Sequence, residues 1–168
     1  GHPESNFLMT DETLLQPLSI SNNHVYRMMG EEEPNAEADR YEAILKTQLP
    51  IRDGLPWFDL VLLGMGTDGH TASIFPDQMQ LLHSGRICDV AIHPETGQTR
   101  ITLTGSVINN AERVCFMVTG ASKASILATI LADGKGAEKY PAAHIRPTNG
   151  ILEWYLDEEA AQLLKASG

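Results

Sequence analysis

The stretch FDLVLLGMGTDGHTASIFP, Phe58 to Pro76, decides the fold class. Phe58 to Leu63 is short and apolar apart from Asp59, which suits a central parallel strand covered on both faces. It empties into a loop holding Gly64, Gly66 and Gly69, with His70 directly behind the last glycine. The design recurs at RVCFMVTG, Arg113 to Gly120, where an apolar run again ends on glycine.

Working outward, ASKASILATILADG reads as a helix with Ile126, Leu127, Ile130 and Leu131 facing inward and Gly134 as C-cap. RITLT, Arg100 to Thr104, alternates as a strand does, and SVINNAERV reads as a short helix. ILEWYLD predicts a last strand and EEAAQLLKA a closing helix. Upstream, GEEEPNAEADRYEAILKTQLP predicts a helix stopped by Pro50. Its acidic first turns suit the positive end of the helix dipole, and Tyr41, Ile44, Leu45 and Leu49 form an apolar stripe. A shorter helix around Asp11 to Gln16 ends near Pro17, whereas the loop from Pro76 to Thr99 carries no strong signal. Strands alternating with helices predict an α/β fold with a largely parallel, Rossmann-like sheet flanked by helices, in a single domain over residues 1–168.

Composition narrows the function classes. The chain has 168 residues, 42% hydrophobic and 20% charged, enough for one sizeable core. No apolar run approaches the ~20 residues of a membrane span. GHPESNF lacks the basic-then-apolar pattern of a signal peptide. Cys88 and Cys115 have no CxxC spacing, so neither a disulfide framework nor a zinc site is indicated, and a cytoplasmic setting is expected. The other histidines show no metal-ligand spacing either. A formal net charge of −10 argues against nonspecific binding to nucleic acid or anionic lipid. Any anionic substrate must then be held by a few local cations.

In open α/β sheets ligands bind beyond the carboxyl ends of the strands, where both glycine loops are expected. Glycine tolerates positive φ, so backbone N–H groups of Gly64, Gly66 and Gly69 can turn toward an anion or oxyanion. His70 would project at the same edge. An imidazole, with an ordinary pKa near ~6.5, is a competent general base at neutral pH. Asp68, two residues away, could steady the loop or accept a proton from His70. On spacing alone a tight structural connection ranks ahead of a catalytic role. Gly64, Gly66 and Gly69 fit GxGxxG, but the dinucleotide fingerprint also needs an acidic residue ~20 positions on, after a second strand. Asp89, in QMQLLHSGRICD, closes no convincing strand. Lys123 opens the helix after the second glycine loop, where a cation opposes the dipole but suits a bound anion. Arg100 and Arg146 read as surface residues or as weaker ligands. Ser73 lacks the GxSxG context of a nucleophile.

FDLVLLGMGTDGHTASIFP resembles the signature of the 6-phosphogluconolactonases, lactone hydrolases of the oxidative pentose phosphate pathway. The resemblance continues through RITLT, VINNAERV, VCFMVTGASK and PAAHIRPTNGILEWYLDEEAA, and upstream through HPESNF and VYRMMGEEEPNAEADRYEAIL. It implies a fold like that of the NagB/RpiA/CoA-transferase proteins. Family members carry a GGxTP-like loop and a DER-type segment ahead of the position matching Gly1. The resemblance therefore places this chain as the C-terminal two-thirds of a lactonase-like domain, with the first strand–loop–helix units upstream.

The resemblance implies hydrolysis of 6-phospho-D-glucono-1,5-lactone to 6-phosphogluconate without metal or cofactor. His70 would activate water, Asp68 would orient His70 or its loop, and the Gly64–Gly66 loop would bind the oxyanion. Lys123 would bind the phosphate, with Arg100 and Arg146 as further candidates. The partner is then a small phosphorylated sugar lactone rather than nucleic acid or membrane, and the oligomeric state stays open. One alternative is a glucosamine-6-phosphate deaminase or isomerase, which shares a GxGxDGHxAF-type loop but continues Asn-Glu-Pro. Here Ser73-Ile74-Phe75-Pro76 lacks that Glu. Another is a catalytically inactive sugar-phosphate-binding module.

Overall fold

A computed structural model describes residues 6–132 and 135–164. Gly134, the expected C-cap, and the last residues of the expected closing helix lie outside them. The first helix, α1 (Asn6–Thr10), continues as one wider turn over Asp11–Leu15, so it starts earlier than the sequence suggests. Helix α2 (Pro34–Gln48) begins where Pro34 presets the first turn and the Glu33 carboxylate accepts the N–H groups of Asn35 and Ala36. Leu45 is buried with Ala38, and Tyr41 and Leu49 pack beside them. Glu37 is the acidic residue of the first turn. It turns inward, 1% exposed, to accept from the Arg40 guanidinium and the Met29 N–H.

Strands β1 (Ile51–Arg52) and β2 (Leu55–Pro56) form a small hairpin turned by Asp53 and Gly54, both at positive φ. Asp-Gly is the pairing such a turn favours. The main sheet has three parallel strands, β3 (Val61–Leu63), β6 (Arg113–Val118) and β7 (Ile151–Leu156), in the order β3–β6–β7. A second, antiparallel hairpin joins β4 (Cys88–Ile92) to β5 (Thr99–Leu103). β4 occupies the region that carried no strong signal, and Asp89 lies within it. Because β4 pairs antiparallel with β5, and the Asp89 carboxylate accepts from the Ser84 hydroxyl, the dinucleotide arrangement does not arise.

Helices α3 (Gly105–Ile108), α4 (Ala124–Leu131) and α5 (Glu158–Ala161) follow β5, β6 and β7. Leu127 and Ile130 of α4 and Ala160 of α5 join Val61, Leu63, Val114, Phe116 and Val118 in one apolar core. Leu131, expected inward, is 39% exposed, because α4 turns it past the sheet. Phe116 and Trp154 stack across paired strands, centroids 4.1 Å apart.

That core lies on one face of the sheet. On the other face Leu62, Met117, Ile151 and Tyr155 are 52–60% exposed. β3 is thus an edge strand of the described sheet with one bare face, which corrects the expectation of a central strand covered on both sides. Its run is apolar throughout, but the described residues supply a packing layer for Val61 and Leu63 only.

Candidate functional site

The carboxyl ends of β3, β6 and β7 bring three loops to one edge. At β3 the loop folds on itself. The Gly66 N–H donates to the His70 carbonyl at 2.9 Å, and the Gly69 N–H donates to the Gly66 carbonyl at 3.1 Å. The Thr71 hydroxyl donates to the Gly64 carbonyl at 2.9 Å. Two of the three glycine N–H groups therefore build the loop instead of facing a ligand, a correction to the expectation that all three do. The absent side chains matter more. A Cβ on Gly66 would lie 2.2 Å from His70 Nδ1. Gly69 has φ +80°, and a Cβ there would lie 2.5 Å from the Tyr140 ring.

The space over Gly66 is filled by His70. Its Nδ1 lies 2.6 Å from Asp68 Oδ1, and the same oxygen accepts the His70 N–H at 3.1 Å. Partial burial alone would raise the Asp68 carboxyl. The His70 N–H and ring outweigh that and hold it below its ordinary value. Asp68 is then a carboxylate at neutral pH and only accepts hydrogen bonds. The hydrogen of a neutral His70 ring accordingly sits on Nδ1, leaving Nε2 with a lone pair.

His70 is the titratable side chain lining a cleft of about 360 Å³, bounded also by Asn6, Leu62, Leu63, Gly64, Met65, Gly66 and Ala72. Gly64 is thus at the cleft, as expected. Asn6, from α1, was missed by sequence reasoning. Its neighbourhood, SNF, lay within the resemblance, but nothing in its spacing points to β3.

Lys123, Arg100 and Arg146 lie outside the residues that line this cleft. Lys123 ends a tight turn, Ala121–Lys123, after β6 and makes no ion pair among the described residues. Parallel pairing of Leu63 with Phe116 sets its loop beside the His70 loop. The third loop fastens this one, since Asp157, which caps α5, accepts the Gly120 N–H at 3.0 Å. Arg100 on β5 donates to the Gln98 side chain at 3.1 and 3.2 Å. Its hairpin reaches the site through Thr102 Oγ1, which accepts the Ser73 N–H at 3.1 Å. The Arg146 side chain donates to the Ala143 carbonyl at 3.2 Å, and its backbone N–H donates to the Asn109 side chain at 2.6 Å. The Arg146 segment meets the loop elsewhere, where Tyr140 packs on Gly69 and the Ala142 N–H donates to the Gly69 carbonyl at 3.1 Å.

Parallel strands, one of them ending in a histidine-bearing glycine loop, define an α/β protein with a cleft at the carboxyl edge of the sheet. Residues 1–154 match the family described as glucosamine-6-phosphate isomerases/6-phosphogluconolactonase, and the chain belongs to that family. It is 45% identical over 130 residues to the 6-phosphogluconolactonase of Treponema pallidum, covering 77% of this chain and 54% of that protein. It is 42% identical over 162 residues to the 6-phosphogluconolactonase of Haemophilus influenzae, covering 96% and 68%. The solved devB protein superposes with a TM-score of 0.90 at 40% identity, covering 97% of this chain and 68% of its own. The chain thus spans between about half and two-thirds of the length of these relatives. No helix among the described residues is long and apolar enough to cross a membrane.

Proposed function

We propose that the chain carries the hydrolytic centre of a 6-phosphogluconolactonase, acting on 6-phospho-D-glucono-1,5-lactone. The observation that carries this reading is the 2.6 Å Asp68–His70 contact at the cleft. It leaves Nε2 as the base. Nε2 takes a proton from water as the oxygen attacks the lactone carbonyl carbon, and charge builds on the carbonyl oxygen. Assistance of this kind is typically worth ~10²–10⁴ in rate. The Gly64 N–H at the cleft is the candidate donor to that oxyanion, a role that is worth a further ~10² or more where it is filled. Collapse breaks the bond to the ring oxygen, and the proton on Nε2 passes to that oxygen.

Lys123, on the neighbouring loop, binds the phosphate as a point charge, with Arg100 and Arg146 as outlying candidates. Support for hydrolysis over aldose–ketose proton transfer comes from the residue before Pro76. The isomerase-type pattern places a carboxylate there, and this chain places Phe75, fully buried against the His70 ring.

The test is lactone hydrolysis above the spontaneous rate. His70→Ala is expected to lower kcat by about 10²–10⁴-fold with the fold retained. Lys123→Ala is expected to raise KM for the phosphorylated lactone and to leave an unphosphorylated lactone unaffected. A wild-type chain that binds 6-phosphogluconate without hydrolysing the lactone would instead mark a sugar-phosphate-binding module.

A further inference from the structure

One set of side chains without an assigned role joins directly onto His70. The ring centroid of Phe75 lies 4.7 Å from that of His70, tilted by 46°. Phe75 meets a second imidazole, His93, at 5.1 Å in an edge-on arrangement of 63°. Phe75 is fully buried and so cannot swing into water.

His93 directly follows β4, and its own position is fixed by backbone. Its N–H donates to the Gln98 carbonyl at 2.9 Å, closing the β4–β5 hairpin. Its Nδ1 accepts the N–H groups of Glu95 and Thr96 at 3.2 and 3.3 Å. The hairpin is in turn pinned to the segment after His70. The Gln78 amide donates to the Ile92 carbonyl at 2.6 Å and accepts the Ile92 N–H at 2.9 Å.

Asp68 holds the His70 ring at one atom, Nδ1. A single hydrogen bond leaves the plane of the imidazole free to tilt about it. Phe75 bears on the ring itself and removes that freedom, provided that Phe75 is held.

We propose that His93 is a positioning residue for His70, acting through Phe75. It keeps the benzene ring against the imidazole, so that Nδ1 meets Asp68 while Nε2 faces the cleft. The inference rests on the reading of His70 as the base.

The experiment compares wild type, His93→Ala, His93→Gln and His93→Phe by steady-state lactone hydrolysis, and by ¹⁵N shifts of the His70 ring nitrogens. Misplacement of a reacting group by about 1 Å can lower a rate up to ~10²-fold. His93→Ala and His93→Gln are therefore expected to lower kcat by about 5- to 30-fold, with KM within about twofold. In both variants the His70 ring should shift toward a mixture of tautomers. His93→Phe keeps a ring against Phe75, so kcat should stay within about threefold of wild type.

An unchanged kcat in His93→Ala with an unchanged His70 spectrum would overturn the inference. A raised KM with kcat intact would also overturn it, placing His93 on the substrate instead. If His93→Ala fails to fold, the Gln and Phe pair decides, since equal kcat in those two removes the ring from the argument. If the wild type does not hydrolyse the lactone, the functional reading fails separately. The His70 spectra of the same variants then judge the positioning role alone.

Discussion

At the scale of single residues, the site depends on what is missing from Gly66. Any side chain there would occupy the volume of the His70 ring. Gly66→Ala is expected to lower kcat by at least about 10²-fold while the melting temperature changes little, because the displaced group is a cleft-lining ring and not core. Kinetics beside a thermal melt check this.

Asp68 gives a pH prediction with a definite sign. Its folded pKa lies below its unfolded value, so its contribution to stability is full above the ordinary carboxylate range. That contribution is lost as pH falls through the lowered folded value. Asp68→Asn should flatten the acid side of the stability–pH curve in denaturant titrations. It should also lower kcat, because an amide no longer compels the Nδ1–H tautomer. His70 and Asp68 were legible in the sequence because they share one short loop. Phe75 follows His70 in the same stretch, but His93 and Asn6 come from separate segments, and no local spacing records that convergence.

At the scale of elements, the legible pieces were those with one buried face or a clear stop. Pro50 marked the end of α2, although its start at Pro34 lies inside the segment read as helical, and RITLT alternated. β4 escaped because both of its faces are used. Cys88 and Val90 pack toward α2, while Ala91 belongs to the core under the sheet, so no period of two survives. The turn between β1 and β2 carries its own signal in the Asp53-Gly54 pair.

Helix α2 carries the prediction for this scale. Glu37 ties the segment before the helix to it, through the Met29 N–H at 2.7 Å and through Arg40, which also donates to the Arg27 carbonyl at 3.1 Å. The side-chain bond from Arg40 chiefly holds its carboxyl below the usual range. Glu37→Ala removes charge-assisted bonds and leaves a cavity, and is expected to cost about 2–3 kcal/mol. Urea unfolding measures it, and a loss under about 0.5 kcal/mol would show the tie to be idle.

At the scale of the molecule, the α/β class and the parallel pairing followed from strands alternating with helices. The edge position of β3 did not. An all-apolar strand announces two covered faces, and nothing in its own residues tells where the second cover comes from. Among the described residues, the row formed by Leu62, Met117, Ile151 and Tyr155 lies exposed beside the unpaired edge of β3. Such a surface invites self-association. In sedimentation runs the average mass of the purified chain should climb with concentration. A Met117→Lys/Tyr155→Lys double substitution should hold it at the monomer value. A net charge of −10 sets mutual repulsion against this stickiness, so added salt, by screening that repulsion, should turn dilute solutions cloudy sooner.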